Sequence, residues 1–205
     1  MPTASSFKFE LYVHHPPKVQ RLLRDRVEKS GDFSTLQTLH IGDDLSQYGK
    51  QIKTILCPAD LETVWSCYTQ RTPTATWQGP LVHFLFAYRD ADKQFFYSTD
   101  QYVPPFEEGL ICYCWLNLWG PRLIIGLKIL RIDQGNKELE IAYVEGGLYR
   151  GTQILSFSAD GEQSRIEHVS YFKSASRLMD ATLYPFFHNW TVGEHHEKMA
   201  AELTK

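Results

Sequence analysis

Three polar side chains near the end of a strand-like segment could orient a ligand. Tyr143 and Glu145 follow apolar residues on one face of that segment, and Arg150 comes just after the Gly146-Gly147 turn. If this face lines an internal pocket, the three side chains lie near its mouth, where a few polar groups set the orientation of a bound molecule. Alternatively, Glu145 and Arg150 form a solvent-exposed ion pair across a hairpin end, which contributes little stability.

His168 is the best single candidate for acid–base chemistry, because histidine titrates near neutral pH. It alternates with Ile166 in a later strand-like segment, so its side chain points either into a pocket or to solvent. The eight histidines include no His-Glu-x-x-His sequence, which is the spacing of a zinc helix. We therefore expect structural or surface histidines and no metal site.

A strongly apolar segment contributes two further candidates. Trp115 and Asn117 alternate on one face of it. The Asn117 amide could hydrogen-bond a ligand carbonyl, or it could be a buried amide satisfied by backbone groups.

Composition excludes several functional classes. The net charge is −3, with no run of Lys and Arg, so no nucleic-acid surface is expected. Phosphate-loop, dinucleotide-binding and serine-hydrolase sequences are absent, and we expect no cofactor. The four cysteines lack zinc spacing and the first residues do not resemble a signal peptide, which favours free thiols in a cytoplasmic protein.

These candidates must be positioned by a mainly antiparallel sheet. Residues 7–13 alternate like a short strand, a helix begins after Pro16-Pro17 and ends at Gly31, and Asp60 is a good N-cap for a helix over 61–69. Short links between the later strands imply antiparallel neighbours. The predicted strands are Gly49–Cys57 and residues 80–89, 94–99, 109–118, 122–132, 138–145, 149–158 and 164–172.

Two of the predicted strands are apolar on both faces. Residues 80–88 and 110–118 therefore need a cover on their outer side, either the N-terminal arm or a second subunit, which leaves a homodimer open. The apolar stretch 110–127 is interrupted by Asn117, Pro121 and Arg122, with a turn at Gly120-Pro121, so it indicates two strands rather than a membrane helix.

A helical segment of about thirty residues ends the chain. Its interruption by Pro185 and its Gly193 predict a bend, and a bent helix over a concave sheet leaves a gap. We expect one apolar stripe of this helix to line the gap, opposite Trp115 and Tyr143. The stripe consists of Met179, Leu183, Phe186 and Trp190.

This order of elements resembles the START-like, or SRPBCC, superfamily with its helix-grip fold, which includes START lipid-transfer domains, the birch-pollen allergen family and polyketide cyclases. CPADLETVWSCYTQ at 57–70 resembles the first helix, GTQILSF at 151–157 and SRIEHVSYF at 164–172 the last hairpin, and SRLMDATLYPFFHNW at 176–190 the gripped helix. The resemblance covers residues 49–203 and implies an α+β helix-grip domain from residue 49, preceded by an extra strand and helix arm over residues 1–48.

The resemblance and the residues together predict three classes of function. The first is binding or carriage of an apolar or amphipathic small molecule, lipid-like or polyketide-like, in an internal cavity. The second is a cyclase or hydratase that uses Glu145, His168 or Tyr143 for proton transfer. The third is a protein-interaction module with a filled core and an exposed apolar sheet face.

Overall fold

A single antiparallel sheet of eight strands organises the chain in a computed structural model that describes residues 6–118 and 122–203. The strand order is β1-β8-β7-β6-β5-β4-β2-β3, and every neighbouring pair is antiparallel. The strands are β1 Gly49–Cys57, β2 Val82–Arg89, β3 Gln94–Tyr97, β4 Ile111–Asn117, β5 Arg122–Asp133, β6 Glu138–Tyr143, β7 Arg150–Asp160 and β8 Gln163–Lys173.

The helices flank this sheet. They are α1 Pro17–Ser30, α2 Leu61–Thr69, α3 Pro73–Thr76, α4 Arg177–Ala181 and α5 Leu183–Glu202. The Asp60 side chain accepts a hydrogen bond from the Thr63 N–H, so α2 begins where the sequence predicts. The curved sheet and the long C-terminal helix confirm the expected α+β helix-grip architecture.

The central strands bury both faces. The inner face packs Phe84, Cys112 and Cys114 into one hydrophobic cluster with α2 and α5, and the outer face packs Leu85 and Phe86 into a second. A bulge between Phe84 and Phe86 places the successive side chains of Leu85 and Phe86 on the same outer side.

The N-terminal segment covers the outer face of the sheet. Val19, Leu23 and Val27 of α1 are almost completely buried in the outer cluster. The Tyr12 hydroxyl donates to the Leu85 carbonyl at 2.6 Å. Of the two covers that the sequence left open, the arm is the one observed, while the homodimer and a separate unit over residues 1–48 stay predictions.

The strand predicted over residues 7–13 is wrong. A short 3-10 helix occupies Phe9–Tyr12 instead. The Phe7 ring packs edge-on against Phe86, 4.7 Å between ring centroids, so this segment lies across the face of the sheet. Backbone groups there have no strand edge to pair with, and a local turn satisfies them.

The predicted position of the helix break is also wrong. The interruption falls at Thr182, between α4 and α5, rather than at Pro185 or Gly193. Pro185 is the third residue of α5, where a backbone N–H has no intrahelical acceptor and a proline is tolerated.

The apolar stretch 110–127 forms β4 and β5, as predicted, while the expected Gly120-Pro121 turn lies outside the described residues. Within residues 6–118 and 122–203, no helix has both the length and the apolar composition needed to cross a bilayer.

Deleting residues 1–30 should expose the outer cluster and cause aggregation, measured by light scattering. In the full chain, Leu23→Ala should lower the free energy of unfolding by about 2–5 kcal/mol, because it removes a completely buried side chain. The matched control is Leu22→Ala, since Leu22 is only partly buried and should cost less. A soluble truncated monomer of unchanged melting temperature would contradict the covering role of the arm.

All four cysteines, Cys57, Cys67, Cys112 and Cys114, are buried thiols, and burial raises the pKa of each. Because the thiolate is the reactive form, a thiol reagent should label the native protein slowly. In denaturant without reductant all four should react. A lower count would reveal a disulfide.

Candidate functional site

A cavity of about 120 Å³ lies between the inner face of the sheet and α5. Strands β4 to β8 provide a mainly aliphatic wall, including Leu116, Ile125, Leu127, Ile141 and Leu155. The opposite wall comes from one face of α5, with Tyr184, Phe187, His188, Thr191, Val192 and His195. The sheet side is therefore mainly apolar but includes Tyr143, Gln153 and His168, and the helix side contributes four further polar side chains.

A chain of hydrogen bonds runs from the core towards this cavity. The Tyr68 hydroxyl of α2 lies 2.7 Å from His196 Nδ1, and His196 Nε2 lies 2.9 Å from His168 Nδ1. His168 Nε2 in turn lies 3.1 Å from Gln153 Oε1. Both ring nitrogens of His168 and of His196 are thus engaged within the chain.

The chain continues along the cavity wall. Gln153 Nε2 donates to the Tyr143 hydroxyl at 2.7 Å, which lies 3.1 Å from the Tyr184 hydroxyl. Next to it, Ser170 Oγ lies 2.9 Å from His188 Nε2, and the Ser170 side chain also interacts with the Tyr184 hydroxyl. Strands β6, β7 and β8 and helices α2 and α5 all contribute to this polar chain.

Burial keeps every titratable group of the chain neutral at physiological pH. Desolvation lowers the pKa of His168 and His196 well below the usual range and that of His188 to about 4, with a smaller contribution from Lys53. Desolvation likewise raises the pKa of Tyr143 and Tyr184.

Two histidine nitrogens beside the cavity lack hydrogen-bond partners. Nδ1 of His188 and Nδ1 of His195 are both buried without a partner among the described residues. Desolvation also lowers the pKa of His195 to about 4, against the opposing effect of a hydrogen bond to the Thr76 backbone. Buried polar atoms are normally paired, so these nitrogens mark the helix wall as a place where a bound molecule could supply the partner. In the described part of the chain, no three His, Cys, Asp or Glu side chains are grouped to hold a metal.

Tyr143 and His168 line the cavity, but Trp115 and Asn117 do not. Trp115 packs in the outer cluster and stacks on His83 at 4.5 Å between ring centroids. Asn117 lies two residues further along β4, on the same outer face. Placing these two residues on the cavity wall was wrong, because β4 is apolar on both faces and its pattern does not distinguish them.

The other predicted site residues also lie away from the cavity. Glu145 and Arg150 form an ion pair at the end of the β6–β7 hairpin, with the Arg150 side chain largely exposed, which matches the solvent-exposed alternative. The expected helix stripe faces outward: Leu183 and Phe186 are 46% and 64% exposed, and neither Met179, which belongs to α4, nor Trp190 lines the cavity. The helix is rotated so that its histidines and Tyr184 face the sheet.

Sequence reasoning missed the aliphatic strand residues of the cavity, the polar strand residue Gln153 and the whole helix wall. The helix residues are Tyr184, Phe187, His188, Thr191, Val192 and His195. A signal was present, because residues 184, 188, 192, 195 and 199 follow the helical repeat. Its histidines, His188 and His195, favour a polar, solvent-facing side in the sequence, so the repeat does not stand out as a buried face.

The neutral histidines predict a specific pH dependence. An unfolded histidine binds a proton near pH 6.5, whereas His188 and His195 bind theirs only near pH 4 in the folded protein. Stability is therefore full above about pH 6.5 and falls as the pH drops towards 4, by up to about 1.4 kcal/mol per pH unit for each such histidine. In urea unfolding, His188→Gln should reduce this slope, and the surface variant His14→Gln is the control. Equal slopes in the wild type and His188→Gln would contradict the assignment.

Similar proteins are found by comparison of structures and not by comparison of sequences. No protein-family model matches the sequence, and no curated protein matches it either. Major latex-like protein 151 from Panax ginseng aligns with a TM-score of 0.57 at 12% identity, over 77% of this chain and 98% of that chain. Norcoclaurine synthase from Thalictrum flavum aligns at 0.56 and 10% identity, over 82% and 96%. A Thermus thermophilus protein aligns at 0.52 and 11%, over 76% and 97%.

At such low identity the likeness to these proteins concerns the fold alone. The chain shares the helix-grip fold of these solved structures, which is the fold that the resemblance in the sequence implies.

Proposed function

We propose that this protein binds a small apolar or amphipathic molecule in the cavity between the sheet and α5. The observation that carries this proposal is a cavity between the sheet and α5 with a mainly aliphatic sheet wall and a helix wall that holds unpaired polar atoms. Burial of the apolar ligand surface supplies the free energy, and the polar atoms set the orientation.

The size of the cavity narrows the ligand class. Pockets for drug-sized ligands enclose about 300–1,000 Å³, whereas a protein cavity of about 150 Å³ accepts benzene. At about 120 Å³, the present cavity suits a molecule with one ring. A lipid chain or a polycyclic polyketide would have to displace wall side chains, so a one-ring ligand is the better fit.

The placement of the candidate acid–base groups favours binding over proton-transfer catalysis. Glu145 lies outside the cavity, and both ring nitrogens of His168 are already hydrogen-bonded. The Tyr143 hydroxyl is engaged with Gln153 and Tyr184. The interaction module is disfavoured because α1 and the preceding residues cover the outer apolar face.

A structural neighbour offers a parallel for ligand size. The structure of norcoclaurine synthase from Thalictrum flavum is a complex with dopamine and hydroxybenzaldehyde, two one-ring molecules. The parallel supports a small aromatic ligand without identifying one.

Two adjacent phenylalanines of α5 provide a matched test with α-methylstyrene as the probe. Phe187 lines the cavity, whereas Phe186 is 64% exposed. Phe187→Ala should weaken binding about five- to tenfold, because it removes apolar contact worth about 1 kcal/mol. Phe186→Ala should leave the dissociation constant unchanged. Binding is followed by calorimetry or by ligand-detected NMR. Equal effects of the two variants, or no binding to the wild type, would refute the proposal.

A further inference from the structure

The hydrogen-bond chain beside the cavity has a donor-to-acceptor direction. Tyr68, at the end of the chain that is closed off in the core, determines this direction. Tyr68 is 1% exposed, and its hydroxyl lies 2.7 Å from His196 Nδ1. A buried phenol that only accepted a hydrogen bond would leave its own proton unpaired at a cost of about 1–3 kcal/mol. Tyr68 therefore donates, and His196 Nδ1 accepts.

This first bond determines the next two. A neutral imidazole has one N–H and one lone pair, so His196 carries its proton on Nε2 and donates to His168 Nδ1. His168 must then carry its proton on Nε2 and donate to Gln153 Oε1. The Gln153 amide N–H donates onward to the Tyr143 hydroxyl. Each donor thus points from the core towards the cavity.

The open end of the chain is left with a surplus donor. Tyr143 accepts from Gln153, and its other partner is the Tyr184 hydroxyl at 3.1 Å, so we assign the donor of that bond to Tyr143. If Tyr184 then donates to Ser170, and Ser170 to His188 Nε2, the surplus is the N–H at His188 Nδ1. If His188 donates to Ser170 instead and Ser170 donates to Tyr184, the surplus is the Tyr184 O–H. In both arrangements a hydrogen-bond donor at the cavity wall has no acceptor.

We infer that the ligand is a neutral one-ring carbonyl compound, such as an aryl ketone, whose oxygen accepts the hydrogen bond offered by Tyr184 or His188. This inference rests on the proposed function and adds the polar group of the ligand to it. A carbonyl oxygen only accepts, so it brings no proton that would itself need a partner.

A carboxylate fits this end of the cavity less well. No Lys or Arg belongs to the described residues that line the cavity, and the nearby Lys53 ammonium donates to the Asn189 carbonyl, so a buried anion would have no counter-charge in direct contact. A neutral oxygen avoids that cost, and aligned donors along a chain strengthen the bond that the last one makes.

The direction of the chain can be tested without any ligand. Two-dimensional ¹H–¹⁵N NMR of the imidazole rings distinguishes the two neutral tautomers. His168 and His196 should both carry the proton on Nε2. A proton on Nδ1 of either ring would overturn the inference while leaving the proposed cavity binding untouched.

Ligand selectivity is tested with acetophenone and α-methylstyrene, which have the same shape and differ in C=O against C=CH₂. The measured quantity is the dissociation constant of α-methylstyrene divided by that of acetophenone. Tyr68→Phe should lower this ratio about fivefold or more, because without the Tyr68 donor either chain direction leaves one His196 nitrogen unpaired. A flip of the Gln153 amide can then reverse the chain, so that Tyr143 donates to Gln153 and the surplus donor at the cavity wall is lost. Tyr68 does not line the cavity, so it is a positioning residue and a loss of packing alone would affect both probes equally.

Two further variants complete the experiment. Gln153→Glu replaces the amide with a carboxylate that only accepts, so Tyr143 would donate to it and the surplus donor would be lost. This variant should lower the ratio as well, which keeps the test valid if Tyr68→Phe fails to fold. Phe187→Ala changes only apolar contact, so it should weaken both probes and preserve the ratio. An unchanged ratio in a folded Tyr68→Phe or Gln153→Glu would overturn the carbonyl assignment. Failure of the wild type to bind either probe would overturn the proposed function together with it.

Discussion

The central strands bury both of their faces, so the elements around the sheet must cover an apolar surface on each side. Leu85 and Tyr113 on the outer side and Cys112 and Cys114 on the inner side are all inaccessible to water. An uncovered apolar face of that extent would be a site of association. The N-terminal helix α1 covers the outer side, and α2 and α5 cover the inner side. The N-terminal arm therefore contributes to the core of the protein as much as α5 does.

The inner side is covered by a helix face that is only partly apolar, and this difference explains the cavity. Tyr184, His188 and His196 are large side chains whose polar atoms must be paired when they are buried. Their positions are set by hydrogen bonds to Tyr143, Ser170 and the Tyr68–His168 chain, so they are less free to collapse onto the aliphatic strands. Space that a purely apolar helix would fill by repacking is left open.

The sequence predicts the order and bounds of most elements because strand alternation, turn residues and the Asp60 cap are local signals. It does not predict which face of a two-sided strand points inward, since that depends on what packs there. Trp115 illustrates the failure: its neighbours Cys114 and Leu116 line the cavity, and both faces of β4 look equally buried in the sequence. The prediction of the buried face of the terminal helix is wrong for a different reason. Phe186 is exposed while His188 is buried, which reverses the order expected from their hydrophobicity.

Buried polar atoms need a hydrogen-bond partner, which makes buried histidines rare and makes an unpaired one informative. At the closed end of the chain each polar atom of Tyr68, His196 and His168 finds a partner within the protein, and the helix wall leaves Nδ1 of His188 and of His195 without one. A protein that needed only to fold would gain stability by replacing such a histidine with an aliphatic residue, because the unpaired nitrogen costs about 1–3 kcal/mol. A ligand that pairs with the nitrogen removes this destabilisation and thereby binds more tightly. The missing hydrogen bond thus lies where a bound molecule can supply it.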